Sequence, residues 1–189
     1  MIHPIRQNFG TSEMNWIQKF YHPKSDFLSK LSASNFQIKK YQNGVYFGEL
    51  SPEGKKQGKG VIFYFSGKIY EGDFLNDLKH GLGHEYFPDA SSYRGDFKEG
   101  MRHGRGVFEW SNREVYDGQW ERSKKTGSGM WKSPEGESYI GEWKRDKVEG
   151  FGVFVMANGS RYEGEFKNSL KHGTGTERFS NGETYVGSY

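Results

Sequence analysis

The chain has 189 residues, a net charge of +3 and no cysteine, and 27 of its residues are glycine and 17% are aromatic. The length suits about one domain, and this composition argues against an aliphatic helical bundle. The lack of cysteine excludes disulfides and thiolate zinc sites. Because we find no signal-like or membrane-spanning apolar run, the sequence predicts a soluble, cytoplasmic protein.

The first 45 residues contain no repeat and form a basic flank. This segment has six basic and two acidic residues, a net charge of +4, whereas residues 46–189 have 21 basic and 22 acidic residues, a net charge of −1. Thr11 or Ser12, and later Ser25, are suitable N-caps before amphipathic stretches, which predicts two short helices. This flank either caps the first repeat or docks on a partner or an anionic lipid surface.

From residue 46 onward the chain repeats every 23 residues. Tyr recurs at positions 46, 70, 93, 116, 139, 162 and 185, and Gly follows each Tyr two residues later. Only the first interval is 24 residues, and its extra residue falls in the turn-like stretch SPEGKKQ (51–57). Runs such as YRGDF (93–97) and GRGVFEW (104–110) alternate across polar turns, which predicts one β-hairpin per repeat.

Within each hairpin we expect aromatic rings to lie over glycines. Alternate residues of a strand share a face, so Tyr70, Gly72 and Phe74 lie together. On the second strand the residues that share a side are Gly104, Gly106, Phe108 and Trp110. If these faces coincide, the rings cover the bare glycines of the neighbouring strand. Valine at Gly104 or at Gly106 is then expected to loosen or unfold the array.

Charged residues accompany this aromatic side. The reverse side of the first strand is rich in Asp and Glu, and the hairpin turns add basic residues. We interpret these rows as a solvated surface whose charges nearly cancel. The basic positions are Lys79, Arg102, Lys125, Lys147 and Lys171.

No repeat can bury its rings alone, so the hairpins must pair into one sheet. Six repeats of two strands, each about 4.8 Å apart, predict an elongated antiparallel sheet of about 60 Å. We therefore expect a mainly β fold, with a flank at 1–45 and an array of six repeats plus the first strand of a seventh at 46–189. That last strand, from Tyr185, either completes the sixth repeat or pairs with a second copy to form a homodimer.

The segments YEGDFLNDLKHGLGHEYFPDAS (70–91) and YEGEFKNSLKHGTGTERFSNGET (162–184) closely resemble the MORN repeat, the membrane occupation and recognition nexus repeat. The resemblance covers residues 46–189, with departures such as Leu50 in place of the first-strand aromatic residue. It implies a single-layer sheet and a scaffolding role in a cytoskeletal assembly or in the axoneme of a cilium or flagellum.

Catalytic and ligand-binding chemistry is disfavoured by the repetition. Every Gly-x-Gly run enters a strand instead of a helix, which argues against a phosphate loop. His80, His103 and His172 belong to different hairpins, about 10 Å or more apart, too far for one metal ion. We therefore predict no enzyme activity, no metal and no cofactor, and the balanced array argues against nucleic-acid binding.

The sequence predicts a non-catalytic scaffold whose aromatic groove binds an extended or helical segment of a protein partner. The exposed edges of the central rings are the predicted contacts. These residues are Tyr93, Phe97, Tyr116, Trp120, Tyr139 and Trp143. The alternative function is peripheral binding of anionic lipid through the basic flank.

Overall fold

The computed structural model describes residues 36–189, which form a single antiparallel sheet of 14 strands in sequence order. The strands are β1 (Gln37–Tyr41), β2 (Gly44–Leu50), β3 (Lys56–Tyr64), β4 (Ile69–Leu75), β5 (Leu78–Tyr86), β6 (Ser92–Lys98), β7 (Met101–Glu109), β8 (Val115–Glu121), β9 (Lys124–Lys132), β10 (Ser138–Lys144), β11 (Lys147–Val155), β12 (Arg161–Lys167), β13 (Leu170–Arg178) and β14 (Thr184–Ser188). The predicted mainly β fold of tandem hairpins is confirmed.

The sheet begins before the first repeat tyrosine. β1 lies within the segment assigned to the flank, and it pairs with β2 from Gln37 opposite Gly48 to Tyr41 opposite Gly44. The two helices predicted for the flank lie outside the described residues. At the far end, β14 pairs with β13 and places Gly187 opposite Gly175.

A row of glycines crosses the sheet at one level. Gly48 pairs with Gly60, Gly60 pairs with Gly72, and the pairing of glycine with glycine continues strand by strand to Gly187. The row combines the glycine of each Tyr-x-Gly with the second glycine of each Gly-x-Gly. The extra residue of the first repeat lies in the 51–55 loop, so it leaves this register intact.

From the second repeat onward, a two-residue turn joins the two strands of each hairpin. In the turn between β10 and β11, Arg145 and Asp146 both have positive φ, 50° and 71°, a geometry that suits the twist of a tight hairpin. The Asp146 N–H donates to the Lys125 carbonyl at 3.0 Å, and the Lys125 N–H donates to the Asp146 carboxylate at 2.8 Å. Such reciprocal bonds connect the hairpin tip of one repeat to that of the next.

One face of the sheet, which we call the ring face, carries a continuous aromatic core. The Tyr116 ring meets the Trp120 ring of its own repeat edge-on at 5.2 Å and the Trp143 ring of the next repeat at 5.1 Å. Each such pair contributes about 0.5–1.5 kcal/mol beyond its buried area. The pattern runs along the array and ends where Tyr189 packs on Tyr162 at 4.9 Å. Each repeat tyrosine from Tyr46 to Tyr162 therefore depends on a ring from the following repeat.

Each repeat tyrosine lies along its own strand, above the glycine row. The Tyr93 hydroxyl donates to the Asp96 carbonyl at 3.0 Å, and a Cβ added at Gly106 would lie 2.5 Å from Cζ of Tyr93. Equivalent hydroxyl bonds, each to the carbonyl three residues later, recur in the other repeats. The predicted packing of rings over glycines is therefore present at Gly106.

Gly104 has a different role from Gly106. Its φ is +56°, and the register between β6 and β7 shifts beside it, as in a β-bulge that requires glycine. The Arg105 N–H in this bulge donates to the Asp96 carboxylate at 2.8 Å. The acidic residue that follows Tyr-x-Gly thus holds the bulge, in addition to facing solvent as the sequence predicted.

Because the repeat tyrosines from Tyr46 to Tyr162 are buried, we expect the sheet to unfold at alkaline pH. Burial raises the pKa of Tyr93, and the charge of Asp96 raises it further; burial likewise raises the pKa of Tyr116. Because the folded pKa exceeds the unfolded value of about 10, the stabilisation is complete below that pH and is lost as the pH rises above it. We expect tyrosinate absorbance and the loss of β-sheet circular dichroism to rise together in this range. Ionisation of the repeat tyrosines in an intact sheet would contradict this.

Candidate functional site

The structure brings the six predicted contact residues together in the core of the ring face. Their exposed fractions are 0% for Tyr93 and Tyr116, 2% for Tyr139, 3% for Phe97, 4% for Trp120 and 8% for Trp143. The indole N–H of Trp120 donates to the Gly106 carbonyl at 2.9 Å, and that of Trp143 donates to the Gly129 carbonyl at 3.2 Å. These residues form the floor of the ring face, and their contact with a partner stays a prediction.

Four half-buried aromatic side chains lie on this floor, and we call them the outer rings. They are Phe87, Trp110, Trp131 and Phe154. The Trp110 ring lies 4.6 Å from the ring of the buried Phe108, and the Trp131 indole N–H donates to Glu114 at 3.0 Å. Their inner edges are fixed by the core and their outer edges meet solvent. The outer rings can therefore contact a partner without any opening of the sheet.

None of the outer rings was among the predicted contacts, although Trp110 was predicted to share a side with Gly104 and Gly106, and the repeat contains a signal for two of the four. The position 15 residues after the repeat tyrosine is Phe108, Trp131 or Phe154 in the central repeats. The same position is Glu85 in one flanking repeat and Glu177 in the other. A comparison of equivalent positions, instead of strand alternation alone, distinguishes the aromatic centre of the array from its ends.

Basic side chains lie over the rings on the same face. The Arg102 guanidinium is 4.7 Å from the centre of the Trp120 ring, and the Lys125 ammonium is 4.4 Å from the centre of the Trp143 ring. Cations in such positions are stabilised by the negative face of the aromatic ring. The prediction of a solvated basic row is therefore wrong for these residues. They are half buried on the ring face, as are Lys79 and Lys171.

One repeat interrupts this row of cations. Residue 148 holds the position equivalent to Lys125 and is Val148, which packs against the aromatic core. Lys147, the basic residue that the sequence analysis placed in the row, is exposed and lies one position earlier. The ring face thus has a central section, from Arg102 to Phe154, that differs from both ends.

Six consecutive segments of the chain match the MORN repeat, at residues 53–69, 70–92, 93–115, 116–138, 139–161 and 162–184. The chain belongs to the MORN-repeat family. The aromatic floor, the glycine row and the bulges recur in the matched repeats of this MORN array, whereas the outer rings vary from repeat to repeat. No curated protein sequence matches the chain significantly.

Solved structures with some similarity to the MORN array include the TCP domain of SAS-4 (dCPAP) from Drosophila melanogaster, in complex with a proline-rich motif of Ana2 (dSTIL). That match has a TM-score of 0.45 and 13% identity, and covers 89% of this chain and 96% of the other. The TCP10 domain of Danio rerio CPAP with a STIL peptide has a TM-score of 0.23 and 13% identity, and covers 82% of this chain and 94% of the other. With such low scores, the ligands of these proteins say nothing of this chain's partner.

Neither a metal cluster nor a membrane helix is found in residues 36–189 of the MORN protein. No group of three or more His, Cys, Asp or Glu side chains in that range could hold a metal ion. The same range contains no helix that is long and apolar enough to cross a membrane. The predicted lipid contact involves the basic flank, most of which lies outside the described residues, and it stays a prediction.

The strand β14 lies at the end of the sheet and keeps much of its surface exposed. Its side chains include Tyr185, which is 45% exposed, and Val186, which is 74% exposed. Within the described residues β14 pairs only with β13. Self-association through this edge stays a prediction.

Proposed function

We propose that this MORN protein is a non-catalytic scaffold that binds a segment of a partner protein across the centre of its ring face. The outer rings carry this proposal, because they are half-exposed aromatic side chains on a floor that is already packed. Aromatic residues held in this way lose little conformational entropy on binding and often dominate the binding energy. The predicted floor residues support the outer rings from below.

The roles of the repeated acidic side chains support a non-catalytic protein. Asp96 accepts the bulge N–H of Arg105 at 2.8 Å, and Glu165 accepts that of Thr174 at 3.1 Å. Asp146 accepts the N–H of Lys125 in a hairpin tip. These carboxylates stabilise the backbone of each repeat, so they are already engaged in the fold and are not paired for general acid and base catalysis.

The spacing of the outer rings is compatible with both partner conformations that the sequence analysis left open. Trp131 and Phe154 occupy equivalent positions two strands apart, about 10 Å. A helix brings residues i and i+7 to one side at about 10.5 Å. A polyproline II segment brings every third residue to one side at about 9.3 Å. Family resemblance directs the search for such a partner to cytoskeletal and ciliary assemblies.

Replacing two outer rings should strongly weaken binding while the array stays folded. We expect Trp110→Ser/Trp131→Ser to lower affinity for the partner by about 30-fold or more, because truncation of a central aromatic anchor commonly costs about 2 kcal/mol or more. The measurement is affinity capture from an extract of ciliated cells with the full chain as bait, with captured proteins quantified by mass spectrometry. Thermal unfolding establishes that the variant is folded.

The matched control for this experiment is Phe151→Ser. Phe151 is an aromatic residue of β11 that is 54% exposed and lies between the glycines at 150 and 152, so its substitution removes a ring from the reverse face. The proposal requires proteins that are captured by the unchanged chain and by the control but not by the Trp110/Trp131 variant. Equal capture by all three baits would refute it.

A further inference from the structure

Ion pairs on the ring face occur in both repeats that flank its central section. Lys79 pairs with Glu85, a residue that is 5% exposed, and Glu85 also lies 3.3 Å from Lys68. At the other end, Lys171 pairs with Glu177 at 2.5 Å. In both pairs the acidic residue lies six positions after the lysine in the same strand.

Two of the three central repeats keep the cation and lack the carboxylate. Six positions after Arg102 is Phe108, and six positions after Lys125 is Trp131. Within residues 36–189, no carboxylate oxygen lies within 4.0 Å of either cation. Besides its ring contacts, the Arg102 guanidinium makes one hydrogen bond within the described residues, a long one of 3.5 Å to the Ser123 carbonyl.

Partial burial makes these two charges costly. Burial lowers the pKa of Lys125, and Asp146 and Glu114 oppose the change from a distance. Burial also lowers the pKa of Arg102, against a weaker opposing effect of Glu85. A cation that is removed from water without a hydrogen-bonded anion is destabilising, and an anion from a partner would relieve that cost.

We infer that the partner segment is acidic as well as apolar, and that its carboxylates pair with Arg102 and Lys125 while its apolar side chains pack on Trp110 and Trp131. This inference rests on the proposed function and specifies the chemistry of the partner. In the flanking repeats the chain provides the carboxylate itself, through Glu85 and Glu177. In the central section an aromatic side chain occupies the position of that carboxylate, and the bound segment provides the anion.

The geometry also defines the spacing of the acidic residues. Arg102 and Lys125 hold equivalent positions in successive repeats, about 10 Å apart. Acidic residues therefore recur at i and i+7 in a helical segment, or at i and i+3 in a polyproline II segment. Because the charge pairs form in a partly buried place, each contributes more to affinity than a pair in open solvent.

A displayed library of random peptides tests the inference directly. The peptides are about 15 residues long, enough to span two repeats as a helix, and are selected on the folded full-length chain. We expect enriched peptides to combine Asp or Glu at these spacings with apolar residues. Their affinities are then measured by fluorescence anisotropy for the unchanged chain, for Arg102→Gln/Lys125→Gln and for Trp110→Ser/Trp131→Ser.

The charge-matched control is Arg105→Gln/Lys124→Gln, which removes two exposed positive charges that lie off the ring face. We expect the Arg102/Lys125 variant to bind enriched peptides about tenfold or more weakly, with a smaller salt dependence, and the control to bind almost as the unchanged chain does. The composition of the selected peptides is a second readout, and it requires no variant to fold.

The outcomes separate the inference from the proposed function. Peptides that need Trp110 and Trp131 but have no acidic excess, and that bind the Arg102/Lys125 variant normally, would overturn the inference and leave the proposed function intact. If no enriched peptide depends on Trp110 or Trp131, both are overturned. Acidic peptides that depend on both pairs of residues would support both.

Discussion

Gly106→Val is expected to lower the free energy of unfolding by at least about 3 kcal/mol. The added Cβ would overlap the hydroxyl of Tyr93 and lie 2.6 Å from Cε2 of its ring. The ring cannot move aside, because it packs edge-on against Phe97 at 5.1 Å and Trp120 at 5.3 Å. Denaturant unfolding followed by circular dichroism measures the change.

The matched control for Gly106→Val is Arg105→Val, in the same strand. Arg105 is exposed on the opposite face, where valine favours the strand conformation, so we expect a change within about 0.5 kcal/mol. A double variant, Tyr93→Ala/Gly106→Val, gives a further check, since removal of the ring also removes the overlap. Its loss of stability should be clearly less than the sum of the two single losses. Strict additivity would contradict packing of the Tyr93 ring on Gly106.

Tyr116→Ala is expected to destabilise the array by about 3–5 kcal/mol, the usual cost of removing a large aromatic side chain from a core. The substitution leaves a cavity between Trp120 and Trp143 and uncovers Gly118 and Gly129. It also removes the hydroxyl bond to the Gln119 carbonyl at 3.1 Å. Because the total stability of a domain is about 5–15 kcal/mol, much of the sheet should unfold well below the normal transition temperature.

The chain contains its own control for Tyr116→Ala in Tyr185, which has the same place in the repeat. Tyr185 makes the equivalent hydroxyl bond, to the Ser188 carbonyl at 3.2 Å, but it is 45% exposed and contacts the single neighbouring ring of Tyr189. Tyr185→Ala should therefore cost about 1 kcal/mol or less. Similar losses at Tyr116 and Tyr185 would show that the ring from the following repeat adds little.

Most of the fold was predictable from the sequence because the period of 23 residues constrains every repeat in the same way. The position of each Tyr and Gly fixes the strand faces, and the polar turns fix the hairpins. The separate role of Gly104 was not predictable from alternation, since a bulge shifts the register between strands without changing the sequence pattern. The Asp96 carboxylate was interpreted only as a solvated charge for the same reason.

The candidate site was less predictable than the fold. Tyr116 and Trp120 were predicted as contacts because they are aromatic and central. However, equivalent rings recur in every repeat and pack on one another, so these side chains are buried. The half-buried Trp110 and Trp131 were not among the predicted contacts, because their positions hold an aromatic residue in only some of the repeats. The partial burial of Arg102 and Lys125 also depends on side-chain conformations that place long basic chains over rings. The residue pattern alone does not specify these conformations.

The uninterrupted glycine row has a consequence for how such a chain can change in length. Every strand meets its neighbours at the same level of this row, so insertion or removal of a whole 23-residue unit joins strands that already fit. A one-residue change within a strand would instead invert its faces. The array can therefore lengthen by duplication of repeats while its outer side chains diversify. The repeated residues preserve the fold, and the variable outer residues can change the binding specificity independently.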